Sequence, residues 1–430
     1  LNDPDLIARA QNVLRLNDAG EFTKPSPHQY PHQWNWDAAF IALGLAHFDL
    51  PRAFAEIRSL LRAQWRDGMV PHIIYHTGAS DYFPPPEFWQ TANLAHAGTI
   101  PSSALTQPPI LATVMRMIQD NSELRITNYE CSQLLAWHRW LHTARDVDGT
   151  GFPCLIHPWE SGMDNSPLWA NVLDRITPEN LPPFKRRDTV HVAPDERPLA
   201  PDYERFVYLT DLGRRLRWDA KALMAQMPFL IQDVLFCSIL HRADEDLRAL
   251  ALELGQDTRE IDGWLARTRK HFDARFWDDA RGLYLDYDAR AKTPVRVNAC
   301  ATFAPLFAGL ASKEQAARLV AEHFDNPNEY APSENSIYRL PSAAKNEPGY
   351  SPLRYWCGPV WIHINWLVAE GLRRYGFIAQ ADALVRDSLA LIRKSGFREY
   401  YDPRDGSGRG AVDFCWSAAL AIEMIRESRE

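Results

Sequence analysis

The 430-residue chain predicts an all-α fold, an α/α toroid of paired helices, on three observations. Apolar residues recur every three or four positions over most of the chain, the period of a helix with one buried face. Strand signals are few, and no alternation of strands with helices marks a parallel sheet. Connections between the helical segments alternate between short and long, as expected where helices pair around a ring and the long loops collect on one face.

The helical segments run over 5–17, 37–49, 52–66, 104–119, 126–145, 202–217, 228–254, 258–275, 298–310, 313–323, 358–374, 378–394 and 412–427. Between them lie loops at 20–35, 67–103, 146–168, 176–201, 324–357 and 395–411, rich in proline, aromatic and polar residues. Helix connections usually run about 2–8 residues, and loops beyond about 12–15 are mostly functional or disordered. These are too aromatic for disorder. The stretch GLYLDYD at 282–288 alternates and is followed by TPVRV, so a minor β-hairpin is expected there. No Gly/Ser-rich linker and no exact repeat divides the chain, and residues 1–430 are expected to form one domain.

Composition excludes several function classes. With 46% hydrophobic and 24% charged residues, the chain can bury a large core. Its net charge is -8 and its basic residues are scattered, which disfavours nucleic acid and anionic membranes as partners. No run of about 18 apolar residues and no signal-peptide pattern is present. The six cysteines show no CxxC or Cys/His ligand spacing and suit core thiols in a reducing cytoplasm. HExxH, P-loop, GxGxxG and GxSxG patterns are all missing, so neither metal nor cofactor is expected. Aromatic residues are abundant, with 15 Trp, 15 Tyr and 19 Phe, many of them beside polar residues and prolines. Flat rings beside hydrogen-bonding groups suit a ligand with C–H faces and hydroxyls, which describes a small-molecule glycoside.

Two segments hold the candidate chemistry. HPWESGMDNSPLW, His157 to Trp169, sets Asp164 among Trp159, Met163 and Trp169. Lost hydration there raises a carboxyl pKa and keeps a proton available at neutral pH, which makes Asp164 a candidate general acid. A plain Asx turn ahead of a proline-started helix explains the same letters structurally. Gly162 lets the backbone turn closely, and Asn165 with Ser166 can hold the turn. The partner carboxylate is Glu399, in FREYYDPRDGSGRG, at the end of a helix and ahead of a glycine-rich loop. It lies 235 residues beyond Asp164, so only a closed ring brings the two face to face.

Further candidates fill the same rim. HQYPHQWNWDAAF places Tyr30, Trp34, Trp36 and Asp37 ahead of a helix. Asp37 is either a carboxylate at a helix N-terminus or a charged grip on sugar hydroxyls, and the two roles are compatible. Tyr82 and Trp89, Gln107, Arg197 with Tyr203, and Tyr355 with Trp356 and Trp361 complete the set. Taken singly, the Trp residues read equally as a helix-packing seam, and Arg197 as a solvated loop charge.

Together QYPHQWNWDAAF, WESGMDNSP, YWCGPVWIHINW and EYYDPRDGSGRGAVDFCWSAAL resemble glycoside hydrolase family sixty-three, in that order and across almost the whole chain. The bacterial members include α-glucosidases and the mannosylglycerate and glucosylglycerate hydrolases, with trehalases as cousins. The resemblance implies a six-hairpin (α/α)6 barrel and cleavage of an α-glycosidic bond with inversion, without a cofactor. It assigns Asp164 as general acid and Glu399 as general base. It assigns Tyr30, Trp34, Trp36, Asp37, Tyr82, Gln107, Trp159, Gly162, Tyr355 and Trp361 to the sugar pocket. Glu160 then becomes a structural or supporting acid. Arg197 with Tyr203 resembles the pair that meets a glycerate carboxylate, a task suited to a guanidinium fork. A 2-O-α-glycosyl-glycerate is therefore the expected substrate. The alternatives are neutral α-glucosides, and a sugar-binding toroid without catalysis. Cys357 stands where the wider family commonly has arginine.

Overall fold

The computed structural model describes residues 2–76 and 82–427. Residues 77–81 of the predicted loop 67–103 lie outside that description. Six helices form an inner ring: Asn35–Ala46, Leu111–Asp120, Val234–Glu253, Ala304–Ala308, Ile362–Arg374 and Cys415–Glu427. Each touches the next, and the last returns to the first. The (α/α)6 barrel expected from the sequence is what forms. Asp3–Leu16, Leu50–Arg62, Asn128–Ala144, Arg259–Phe276 and Ile378–Ser395 back the ring from outside.

Sequence separates the two layers. Asn35–Ala46 buries every residue from Asn35 to Leu45, as a helix flanked on all sides must. Leu50–Arg62 buries one stripe, Ala53, Phe54, Ile57, Leu60 and Leu61 among it, and leaves the opposite face polar. Outer helices also start on explicit caps: Asp49 accepts the Arg52 amide, and Thr127 with Glu130 forms a capping box. At the seam where first and last inner helices meet, a Cβ on Gly44 would lie 2.4 Å from Ala419 Cα. The ring therefore closes by backbone approach between small residues.

Several boundaries differ from expectation. The segment predicted at 104–119 becomes helical only at Leu111, because Pro108 and Pro109 keep the preceding residues extended. The one predicted at 228–254 starts at Val234, capped by Asp233, since Ile231–Gln232 is a strand. That strand lies in a four-stranded antiparallel sheet between Cys154–Leu155 and Tyr287–Asp288, with Thr293–Pro294 outermost. The hairpin expected at 282–288 is thus divided. Leu283–Tyr284 pairs back with Trp277–Asp278, while Tyr287–Asp288 pairs with Thr293–Pro294. The expected loop 395–411 contains a hairpin of Arg398–Tyr401 with Gly408–Val412, interrupted by a bulge. Glu399 accordingly sits on a strand, not at a helix end.

Candidate active site

Ring closure brings both ends of the chain to one cleft. Asp164 and Glu399 line it together, with Asp37 between the aromatic walls. Asp164 follows a one-turn helix, Pro158–Ser161, that ends on Gly162 with φ of 74°. A Cβ on Gly162 would lie 2.4 Å from Trp36 Cζ2, so this turn passes against the indole with no room for a side chain. Trp36 is held in turn by the helix Asn35–Ala46, and its amide donates to Gln107 Oε1 at 3.3 Å.

The two cleft carboxyls have different surroundings. Burial pushes the Asp164 carboxyl up to about 7, with the nearby Glu399 charge adding to the rise and Arg197 opposing it. Three donors meet Glu399: the Tyr30 hydroxyl at 2.6 Å and Arg197 Nη1 at 3.3 Å on Oε1, and the Ala411 amide at 2.9 Å on Oε2. Ala411 belongs to the strand paired with that of Glu399, so the hairpin itself orients the carboxylate. Burial also pushes the Tyr30 hydroxyl well up, which keeps its proton in place for Glu399. The carboxyl of Asp37 is raised well above the usual carboxylate range by burial and then by the Glu399 charge. Asp37 lines the cleft as expected, and whether charged or protonated its oxygens can accept from sugar hydroxyls.

Arg197 is 3% exposed and stands over the Tyr355 ring at 4.3 Å. It spends Nη2 on Tyr30 at 2.8 Å and Nη1 on Glu399, while Nε is buried 3.9 Å from the Asp188 carboxylate. It is no solvated loop charge. Tyr203, in the first turn of Ala200–Arg215, lines the same end of the cleft with Tyr82 and Trp159. Trp34 meets both Tyr30 and Tyr82 edge-on, with centroids at 5.1 Å.

Of the rim candidates singled out in the sequence, two are placed elsewhere: Trp89 is fully buried, its Nε1 donating to the Tyr75 hydroxyl at 2.7 Å, and the second is Trp361. It lies one layer behind the wall, stacked at 3.7 Å on Trp356, which takes the cleft-facing position. Glu160 is fully buried and engaged by Arg145 at 2.8 and 3.0 Å and by the Ile156 and Thr106 amides. This is the supporting role expected of it.

The structure adds His72, Asp188, Phe414 and Trp416 to the lining. Ser103 Oγ accepts the Ile73 amide at 3.1 Å and is hydrogen-bonded to His72 Nδ1 at 2.6 Å. Burial lowers the His72 pKa well below 6.5, which favours the neutral ring. Nothing local in VPHIIY signals this. Phe414 and Trp416 stand in GAVDFCW, where alternation of apolar residues reads as core. Among the described residues no cluster of three or more His, Cys, Asp or Glu has the arrangement of a metal site.

Residues 30–417 match the model of the mannosylglycerate hydrolase MGH1-like glycoside hydrolase domain. A mannosylglycerate hydrolase of Thermus thermophilus is 46% identical over 97% of this chain and all of its own length. A glucosylglycerate hydrolase of Mycolicibacterium hassiacum is 33% identical over 98% of this chain and 97% of its own. The crystal structure of a GH63 mannosylglycerate hydrolase from Thermus thermophilus in complex with Tris and D-glycerate superposes with a TM-score of 0.90 at 45% identity, covering 97% of this chain and 99% of that one. The chain therefore belongs to the mannosylglycerate hydrolase MGH1-like glycoside hydrolases of family sixty-three.

Proposed function

We propose that this glycoside hydrolase cleaves a 2-O-α-glycosyl-glycerate, mannosylglycerate or glucosylglycerate, to hexose and glycerate. Asp164 gives its proton to the glycosidic oxygen as the bond to the anomeric carbon breaks. Glu399 takes a proton from the water that attacks that carbon from the opposite face, and the hexose leaves as the β-anomer. Inversion of this kind places the two carboxyls about 6.5–9.5 Å apart to admit the water. Trp34, Trp36, Trp356, Asp37 and Gln107 hold the hexose, and Tyr82, Trp159, Arg197 and Tyr203 hold the glycerate.

The observation that supports the substrate reading is the Arg197 guanidinium in the lining of the cleft beside Tyr203. A guanidinium fork matches a carboxylate on the aglycone and has little purpose against a neutral sugar. The relatives named above act on such glycerate glycosides. No helix among the described residues is long and apolar enough to cross a membrane, and all six cysteines are unpaired. On that basis we place a single-domain enzyme in the cytoplasm.

The test is incubation of the protein with mannosylglycerate, glucosylglycerate, trehalose, kojibiose and maltose, with released hexose followed by NMR. Fast release from a glycerate glycoside with β-hexose appearing first is expected. Initial α-hexose would overturn inversion, and equal rates on maltose would overturn the glycerate reading. Arg197→Ala is expected to raise KM for glycerate glycosides and, because Nη1 also holds Glu399, to lower kcat.

A further inference from the structure

The candidate acid is held in an unusual way. No side chain among the described residues donates to the Asp164 carboxyl, which receives only its own backbone amide. Its aim therefore depends on the path of the chain through Gly162 to Asn165. The first half of that path is fixed by Trp36 against Gly162. The second half is fixed by Asn165, whose 7% exposed side chain reaches 191 residues along the sequence to the opposite wall. Its Oδ1 accepts the Trp356 amide at 3.0 Å. Its backbone carbonyl accepts the Cys357 thiol at 3.2 Å, and its Nδ2 points at the same sulfur at 3.6 Å. Burial pushes that thiol up to about 12, so it stays protonated and remains a donor.

We propose that Asn165 and Cys357 form a clasp between the acid-bearing turn and the Tyr355–Trp356 wall, and that Asn165 is the positioning residue for Asp164. The clasp couples the proton donor to the surface on which the sugar lies, so the carboxyl keeps its distance from the glycosidic oxygen. Without it the turn retains bonds within its own segment, from the Met163 amide to Ser161 Oγ at 2.9 Å and from the Ser166 amide and Trp169 Nε1 to the Met163 carbonyl at 3.0 and 2.8 Å, and none of these reaches the Tyr355–Trp356 wall. Misplacement by about 1 Å costs on the order of 100-fold in rate. This inference rests on the reading of Asp164 as proton donor.

The two are separated by comparing a glycerate glycoside with the α-fluoride of the same hexose, because fluoride departs with little need of an acid. Asn165→Ala is expected to lower kcat on the glycerate glycoside by about 10–100-fold with KM within about threefold. Turnover of the fluoride is expected to stay within about threefold of the parent protein. Asn165→Asp keeps an acceptor for the Trp356 amide and is expected to recover most of the loss. Its added charge moves the alkaline limb of the pH profile to higher pH. Cys357→Ser, which retains a donor, is expected to exceed Cys357→Ala in turnover, and this pair serves if Asn165→Ala folds poorly. Equal losses on both substrates, or no loss on either, would overturn the clasp. Undiminished turnover of the glycerate glycoside by Asp164→Asn would instead overturn the underlying assignment of the acid.

Discussion

Glu160 and Asp164 stand four residues apart in one turn and meet opposite fates. Arg145 and two amides neutralise the first, whereas the second faces the cleft with no compensating donor beyond its own amide. With its carboxyl near 7 against an ordinary 3.8, Asp164 retains a proton that most carboxyls have lost. Turnover is expected to fall as pH rises through about 7, measured as kcat over pH 5 to 9. Asp164→Asn and Glu399→Gln are each expected to cut kcat by about 100–10,000-fold while still binding hexose by calorimetry. Stability moves the other way. A carboxyl raised on folding contributes its full stability below its unfolded value, and that contribution is lost as pH rises through the folded one. Asp164→Asn is therefore expected to melt above the parent protein at pH 8, with the gap closing toward pH 4. A calorimetric scan showing the reverse order would contradict the buried, uncompensated acid.

At the scale of elements, short pieces of irregular structure carry the site, and buried polar pairs hold them. Arg145, just beyond the helix Asn128–Ala144, reaches Glu160 in the one-turn helix Pro158–Ser161, while the Thr106 amide ties in the loop that bears Gln107. Removing one partner of a buried ion pair leaves an unpaired charge and costs about 3–5 kcal/mol. Arg145→Met is expected to lose about that much in denaturant unfolding, with turnover lost as well because the same turn leads to Asp164. The hairpin Arg398–Tyr401/Gly408–Val412 plays the matching part for Glu399, whose second oxygen takes an amide from the partner strand. A helix end would offer its unsatisfied carbonyls there, which repel a carboxylate.

For the whole molecule the decisive contact is the seam between the first and last inner helices. Gly44 and Ala419 meet there with no space for another methyl group. Gly44→Ala is expected to destabilise by about 1–3 kcal/mol through overpacking. Moving the methyl across the seam, as Gly44→Ala with Ala419→Gly, is expected to restore part of the loss, read from thermal unfolding. Coupling of that kind distinguishes a packed seam from two independent sites. Opening this seam separates Tyr30 and Asp37 from Glu399, so activity and stability are expected to fall together in the single variant.

Helical period alone determined the all-α class, because burial of one face every 3.6 residues is a local pattern. Ring closure was also within reach of sequence, since acids 235 residues apart must share a cleft for the motifs to make sense. Local chemistry offered Asp164 as a candidate as well, for bulky neighbours in its segment favour desolvation. Other features depended on contacts distant in sequence. The strand at Glu399 requires its partner, and a run of aromatic and charged residues beside a helix does not declare one. Trp356 and Trp361 are indistinguishable as letters, and only the stacking of one behind the other decided which lines the cleft. The hydrogen-bond partner of His72 Nδ1 is a serine 31 residues away. Side-chain periodicity records which face is buried, while the direction of a hydrogen bond is settled only by the group that the fold brings opposite.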